Sequence, residues 1–270
     1  MLDFLPSNAK LPKDCYEAKK IIKDLGLSYE KIHACPKDCI LYWKENANLE
    51  ACSNYNRSRW ESNEFKGQQS TNASSKKKKK KPAKILRWFP LKPRLQWLFM
   101  SLETAKHMKW HAEGHVNDEL LRDPADFEAW KSFDSKYIKF SSELRNMRLG
   151  LAADNQYGNM SSTHTTWPVI LIPYNLPPWM CMKRSSFMLS SLIPGLISPG
   201  NDIDVYLQSL IEELKELWDA GVKTFDVSFK KSFRMHVALL WTINDFLAYG
   251  DILGWSTKGA LACPPCNYDN

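Results

Sequence analysis

Between Met147 and Asp245 the spacing of apolar positions changes twice. The runs MRLGLAAD (147–154), TWPVILIPYNL (166–176) and SSFMLSSLIPG (185–195) are short, largely apolar and punctuated by Pro and Gly, which is the pattern of buried strands. After Pro199 and Gly200 the period becomes helical, and Ile203, Leu207, Leu210, Ile211, Leu214, Leu217 and Trp218 fall on one stripe. Asn201 suits the cap of that helix, Asp202 and Asp204 its first turn, and Gly221 its end. FRMHVALLWTI (233–243) then predicts a fourth, long strand that stops at Asn244 and Asp245. Upstream, residues 16–24 predict a short helix. Another is expected to begin near Ser101 and to place His107, His111 and His115 on one face. No cysteine or carboxylate stands where it could complete a metal site with them, so these histidines are read as structural.

The order strand, strand, strand, helix, strand is that of a ribonuclease-H-like mixed sheet, an α/β (α+β) fold in which the fourth strand lies beside the first. That adjacency is expected to bring together Asp154, at the end of the first strand, and Asp245, just after the fourth. Carboxylates so paired hold Mg2+ or Mn2+, and paired ions clamp the attacking and leaving oxygens of a phosphodiester. Asp118, Asp123 and Asp126 lie in a charged stretch and are expected at the surface. His164 and His236 are expected to be structural. A third acidic residue normally comes from a later helix, and the chain stops at Asn270 before one, so the core is expected to be incomplete.

Composition divides the rest. Residues 61–84, ESNEFKGQQSTNASSKKKKKKPAK, have almost nothing to bury and read as a lysine-rich disordered linker. They separate an N-terminal segment (1–60) from a basic, helical connecting region (85–145), which leads to the core (146–270). The net charge of +7 is unevenly placed, with an unbroken run at Lys76, Lys77, Lys78, Lys79, Lys80 and Lys81 and Arg87 just beyond. Such a run is a solvated spacer or a patch for DNA phosphates, and the two are compatible. Hydrophobic content of 44% with eleven Trp belongs to a globular chain. No apolar run reaches the roughly 18–20 residues of a membrane span, and the first residues lack the pattern of a secretory signal.

Seven cysteines fall as a trio, a pair and two singletons, Cys15 and Cys181, a grouping that suits an intracellular protein better than a disulfide framework. Cys35, Cys39 and Cys52 have the spacing of a zinc ribbon short of one ligand. The fourth is expected near position 55, where Tyr55 stands, and His33 is the other nearby candidate. Three buried or free thiols is the blander reading of the trio, and the one that the missing fourth ligand favours. Cys263-Pro-Pro-Cys266 reads as half of a second zinc site.

Longer strings carry a resemblance. RLGLAADNQYGNMSSTHTTWPVILIPYNLPPWMCMK, PGNDIDVYLQSLIEELKELWDAGV and LLWTINDFLAYGDILGWSTKGALACPPC closely resemble the transposases of plant CACTA-type (En/Spm) DNA transposons. YEAKKIIKDLGLSYEKIHACPKDCILYWKE and ILRWFPLKPRLQWLFMS resemble the same proteins upstream. The resemblance implies a DDE/D transposase of the nucleus, acting on transposon-end DNA with Mg2+ or Mn2+. It implies no membrane association; homo-oligomers or other transposon proteins are possible further partners. Asp154 matches the first catalytic aspartate and Asp245 looks like the second. Cys263 and Cys266 match a CxxC that works with later histidines as a zinc site. This chain departs at DNQYGNMS, a loop shorter than usual, at Leu247, where a proline is usual, and at Tyr55. The third acidic residue and the histidine ligands have no counterpart. The expectation is therefore a truncated, catalytically incomplete transposase with a degenerate zinc-ribbon-like segment. The alternative is a non-catalytic nuclear DNA- or protein-binding remnant.

Overall fold

The apolar runs become strands and the helical stripe becomes a helix. The computed structural model describes residues 12–61, 80–114, 120–153, 165–195 and 202–244. In chain order these contain α1 (Cys15–Asp24), β1 (Glu30–Ala34), β2 (Leu41–Tyr42), β3 (Lys84–Trp88), α2 (Leu91–Met100), α3 (Leu102–Ala105) and α4 (Trp110–Glu113). There follow α5 (Glu128–Lys136), α6 (Ile138–Ser141), β4 (Met147–Ala153), β5 (Thr165–Pro173), α7 (Pro178–Cys181) and β6 (Met188–Gly195). Last come α8 (Ile203–Asp219), β7 (Val222–Asp226), β8 (Lys231–Met235) and β9 (Val237–Asn244). Short 3-10 turns lie between several of these elements. No described helix is long and apolar enough to cross a membrane.

Seven strands form one sheet in the order β2-β1-β3-β6-β5-β4-β9, and β7 and β8 form a separate hairpin. Every neighbour pair of the large sheet is antiparallel except β4 and β9, which run parallel. Period-two alternation sorts the side chains of β4 between the two faces. Met147, Leu149, Leu151 and Ala153 join the main core, where α8 contributes Ile203, Tyr206, Leu207, Leu210 and Leu217 and α2 contributes Leu91, Leu95, Leu98 and Phe99. The opposite face is covered by Trp130 of α5, against Ile172, Tyr174 and the half-buried Trp241. The long helix ends as its sequence implies: Gly221 takes a left-handed conformation (φ 63°), and its N–H reaches back to the Glu216 carbonyl.

Three local expectations are corrected. The run 233–243 is not one strand. It breaks at His236, so that β8 pairs with β7 while β9 crosses to the large sheet beside β4. The switch is held by Asn146, whose side-chain oxygen accepts the His236 N–H at 2.8 Å, and by the Met147 N–H on the His236 carbonyl at 2.8 Å. Strand β7 escapes notice in the sequence because its buried positions are Thr224 and Asp226, not apolar residues.

The second correction concerns the helix expected from Ser101. The main helix precedes that residue, with Pro93 tolerated in its first turn. It stops because Thr104 bonds the Leu98 carbonyl and Val227 donates to the Phe99 carbonyl at 3.1 Å. His107 and His111 therefore do not share a continuous helix, and His111 is buried against the Trp130 ring; His115 lies outside the described residues.

Third, Asp123 and Asp126 are buried, not superficial. They form a reciprocal capping box around the turn Pro124–Asp126. Asp118 and His164 lie outside the described residues, whereas His236 meets the Trp218 carbonyl at 2.9 Å, consistent with a structural role.

The start of α2 shows how a distant residue can cap a helix. The Glu213 carboxylate on α8 accepts the Leu91 N–H at 2.8 Å and the Lys92 N–H at 2.9 Å, meeting donors the helix itself cannot satisfy. Burial raises the Glu213 pKa, against the opposing pull of those N–H groups and of Lys92. A carboxyl whose folded pKa lies above its unfolded value takes up a proton on folding. Its contribution to stability is therefore lost as pH rises through the raised pKa. Glu213→Gln keeps an acceptor at the helix start and removes the buried charge. Its urea midpoint at neutral pH is expected to match or exceed the parent's, with a flatter pH dependence above the ordinary carboxylate range. A markedly lower midpoint at neutral pH would instead show the charge to be net stabilising.

Candidate metal centres

Two places bear on the expected metal sites. The first lies at the C-terminal ends of β4 and β9. Their register runs from Met147↔Val237 to Ala153↔Asn244, so the last described residue of each strand is the other's partner. The next residues in sequence are Asp154 and Asp245, and both lie outside the described residues.

At the far end of the strands Asn146 accepts the His236 N–H and ties β4 to β9, and Asn175 holds the start of β4 in place. Asn175 accepts the Arg148 N–H at 2.8 Å and donates to the Asn146 carbonyl at 2.9 Å. Asn146 in turn donates to the Phe140 carbonyl at 2.8 Å. The register slips once, between Leu149 and Gly150. A Cβ on Gly150 would stand 2.5 Å from the Tyr174 hydroxyl, so only glycine allows Tyr174 to pack there.

Arg148 is the one charged residue on β4. Its guanidinium, fully buried, meets Asp134 at 2.7 Å and lies over the rings of Trp130 (4.8 Å) and Phe140 (5.1 Å).

The second place is the cysteine trio. Cys39 Sγ lies 3.2 Å from Cys35 Sγ and 3.0 Å from Cys52 Sγ. All three sulfurs fall within 4.8 Å of one another, and no His, Asp or Glu of the described residues joins the group. Two loops of like construction present them. In the first, the Cys35 N–H bonds the Ile40 carbonyl at 2.9 Å; in the second, the Cys52 N–H bonds the Arg57 carbonyl at 2.8 Å. Each loop turns through a left-handed residue, Asp38 (φ 63°) and Asn56 (φ 49°), the non-glycine types that best tolerate it.

Backbone N–H groups also point at sulfur in both loops. Lys37 N–H lies 3.4 Å from Cys35 Sγ, and the Asn54 and Tyr55 N–H groups bond Cys52. Burial tends to raise the Cys52 pKa, but the Cys39 thiol and these N–H groups outweigh it and the net shift is downward. The Cys39 pKa is raised instead, by burial and then by the neighbouring sulfurs. Burial and the charge of Cys35 and Cys52 push the Tyr42 phenol up to about 12.

Thiolates around zinc at 2.3 Å stand about 3.8 Å apart, so each of the two Cys39 pairs, at 3.2 and 3.0 Å, would open by less than about 1 Å to accept such an ion. His33 does not complete the set, because its Nδ1 accepts a hydrogen bond from Arg59 Nε at 2.8 Å.

The remaining expected site residues are scattered. Lys76, Lys77, Lys78 and Lys79 lie outside the described residues, as do Cys263 and Cys266. Lys80 pairs with Glu50 at 2.9 Å and Lys81 with Glu61 at 2.8 Å, both near the surface. Arg87 is half-buried in β3, at the seam where that strand meets Leu192 of β6. Sequence reasoning missed Tyr42, whose buried hydroxyl has no hydrogen-bond partner among the described residues. It also missed the likeness of the two loops, for which Asp38 and Asn56 were the available signals.

The profile of the transposase family tnp2 matches residues 118–270, more than half of the chain. No curated protein matches, and no solved structure does.

Proposed function

Because the chain belongs to the transposase family tnp2, we propose that its sheet carries a DDE/D-type centre for phosphodiester cleavage and strand transfer at the ends of a CACTA-type transposon. Asp154 and Asp245 are the two sheet-borne carboxylates of that centre, and Mg2+ or Mn2+ is its ion. The observation that supports this reading is the parallel register of β4 and β9, in which the residues just before the two aspartates, Ala153 and Asn244, are partners. Neighbouring strands stand about 4.8 Å apart, a spacing that lets carboxylates on adjacent strand ends share an ion. A bound divalent ion supplies Lewis-acid stabilisation of the attacking and leaving oxygens.

The residues of the chain hold and aim. Asn146, which accepts the His236 N–H, ties the start of β4 to the start of β9 and so helps keep the two strand ends level. Lys76–Lys81 contribute sequence-independent, salt-sensitive attraction to DNA phosphates. Cys35, Cys39 and Cys52 hold Zn2+. The nucleus is the compartment this chemistry calls for.

Paramagnetic broadening tests the central assignment. With the full chain isotope-labelled, substoichiometric Mn2+ is expected to broaden the amide signals of Ala152, Ala153, Ile243 and Asn244 first. Broadening confined to other regions would refute the assignment.

A further inference from the structure

The second cysteine loop closes as the first does, on a bond from the cysteine N–H to the carbonyl five residues on, but offers no second thiol. Cys39 follows Cys35 by four residues and comes just after the left-handed Asp38, whereas Tyr55, the left-handed Asn56 and Arg57 stand at the comparable places after Cys52. None of these is a thiol or an imidazole, and Tyr55 is turned outward, 56% exposed, with Lys37 Nζ over its ring at 4.6 Å. Nearby acceptors are already used: Asp38 takes Lys84 and the Tyr206 hydroxyl, and His33 takes Arg59. Beside the three thiols, Tyr42 keeps a buried hydroxyl with no hydrogen-bond partner among the described residues.

We infer that Cys35, Cys39 and Cys52 form a three-thiolate zinc site that none of the described residues closes, and that its fourth coordination position is filled by a small thiol. A closed site of four protein ligands is structural and inert, whereas an open one exchanges its last ligand. The three protein thiols lose their protons as the ion binds, and the incoming thiol loses its own on coordination. The Tyr42 hydroxyl is a donor available to the bound ligand. The inference rests on the reading of the trio as a metal site and is independent of the carboxylate centre.

Co2+ substitution tests it, because the thiolate-to-cobalt charge-transfer absorption grows with the number of sulfur ligands. The full chain, titrated with Co2+, is expected to give a tetrahedral spectrum that is lost in Cys35→Ser. Added 2-mercaptoethanol is expected to raise the charge-transfer band by about one third, the step from three thiolates to four. Tyr55→Cys and Asn56→Cys, made separately in case one disturbs the loop, are expected to include at least one variant that shows the higher band without thiol and does not respond to it. Absence of Co2+ uptake, or a spectrum that persists in Cys35→Ser, overturns the metal site itself. Uptake with a spectrum indifferent to thiol overturns only the open position.

Discussion

Asp154→Asn is expected to weaken Mn2+ binding to the full chain by at least about 100-fold, an effect beyond the 10–100-fold typical of losing a residue that merely supports a ligand. Asn keeps the volume and one oxygen but not the charge, so the loss reports on electrostatics and not on packing. Asp245→Asn is expected to do the same. The double variant should be little worse than either single one, because carboxylates sharing an ion act as a unit. Electron paramagnetic resonance of free Mn2+ measures the affinity directly, and unchanged thermal unfolding of the variants without metal confirms that the fold is intact. Any DNA cleavage that requires Mg2+ or Mn2+ should fall with the affinity. Parent-like binding in either variant would remove that residue from the centre.

Asp134→Ala is expected to cost about 3–5 kcal/mol of stability, the usual result of stripping the partner from a buried charge. Arg148 is 0% exposed, and Asp134 Oδ1 accepts from its Nη2 at 2.7 Å and its Nε at 3.2 Å. Its other nitrogen reaches the Asn146 carbonyl at 3.2 Å. Burial already lowers the Arg148 pKa, with Asp134 opposing that shift. Without the carboxylate the guanidinium stays between two aromatic rings with only a carbonyl and the edge of His111 for company. Arg148→Met should cost much less, because it removes the charge along with the need for a partner. Asp134→Ala combined with Arg148→Met should recover most of the loss. Urea unfolding of the three variants decides the matter, and a loss below about 1 kcal/mol for Asp134→Ala would place the pair among weak, solvent-screened ion pairs.

The core was legible wherever burial followed a simple period. Strands at 147–153, 165–173 and 188–195 and the helix at 203–219 stand close to where the apolar runs and the helical stripe put them. The sheet's outer strands were not legible, for physical reasons. β1 has the burial pattern of a strand with only two covered positions, Ile32 and Ala34. β3, at 84–88, looks like the end of a basic linker, yet it pairs with both β1 and β6 and so makes one sheet of the N-terminal strands and the core. The break at His236 could not be read from hydropathy, because both halves are apolar and only the partner strand changes.

Of the candidate sites, the cysteine trio was visible as spacing, and the structure brings its sulfurs together. What spacing could not show was that both loops close with the same bond from the cysteine N–H to the carbonyl five residues on, while the second offers no second thiol. The paired strand ends are a topological fact, since 90 positions separate Met147 from its partner Val237 (237 − 147).

That separation has a consequence for the order in which the molecule assembles. β4, β5 and β6 are consecutive and can zip by short-range contacts, and α8 and the β7–β8 hairpin can form locally. β9 is expected to dock on β4 after these have shortened the loop between them, since long-range pairing carries its entropy cost before its reward. A nascent or partly folded chain thus has no neighbouring strand ends on which to gather an ion. If the proposed carboxylate assignment holds, the capacity to bind metal between them arrives only with this long-range pairing, which would make ion binding a report that β9 has docked.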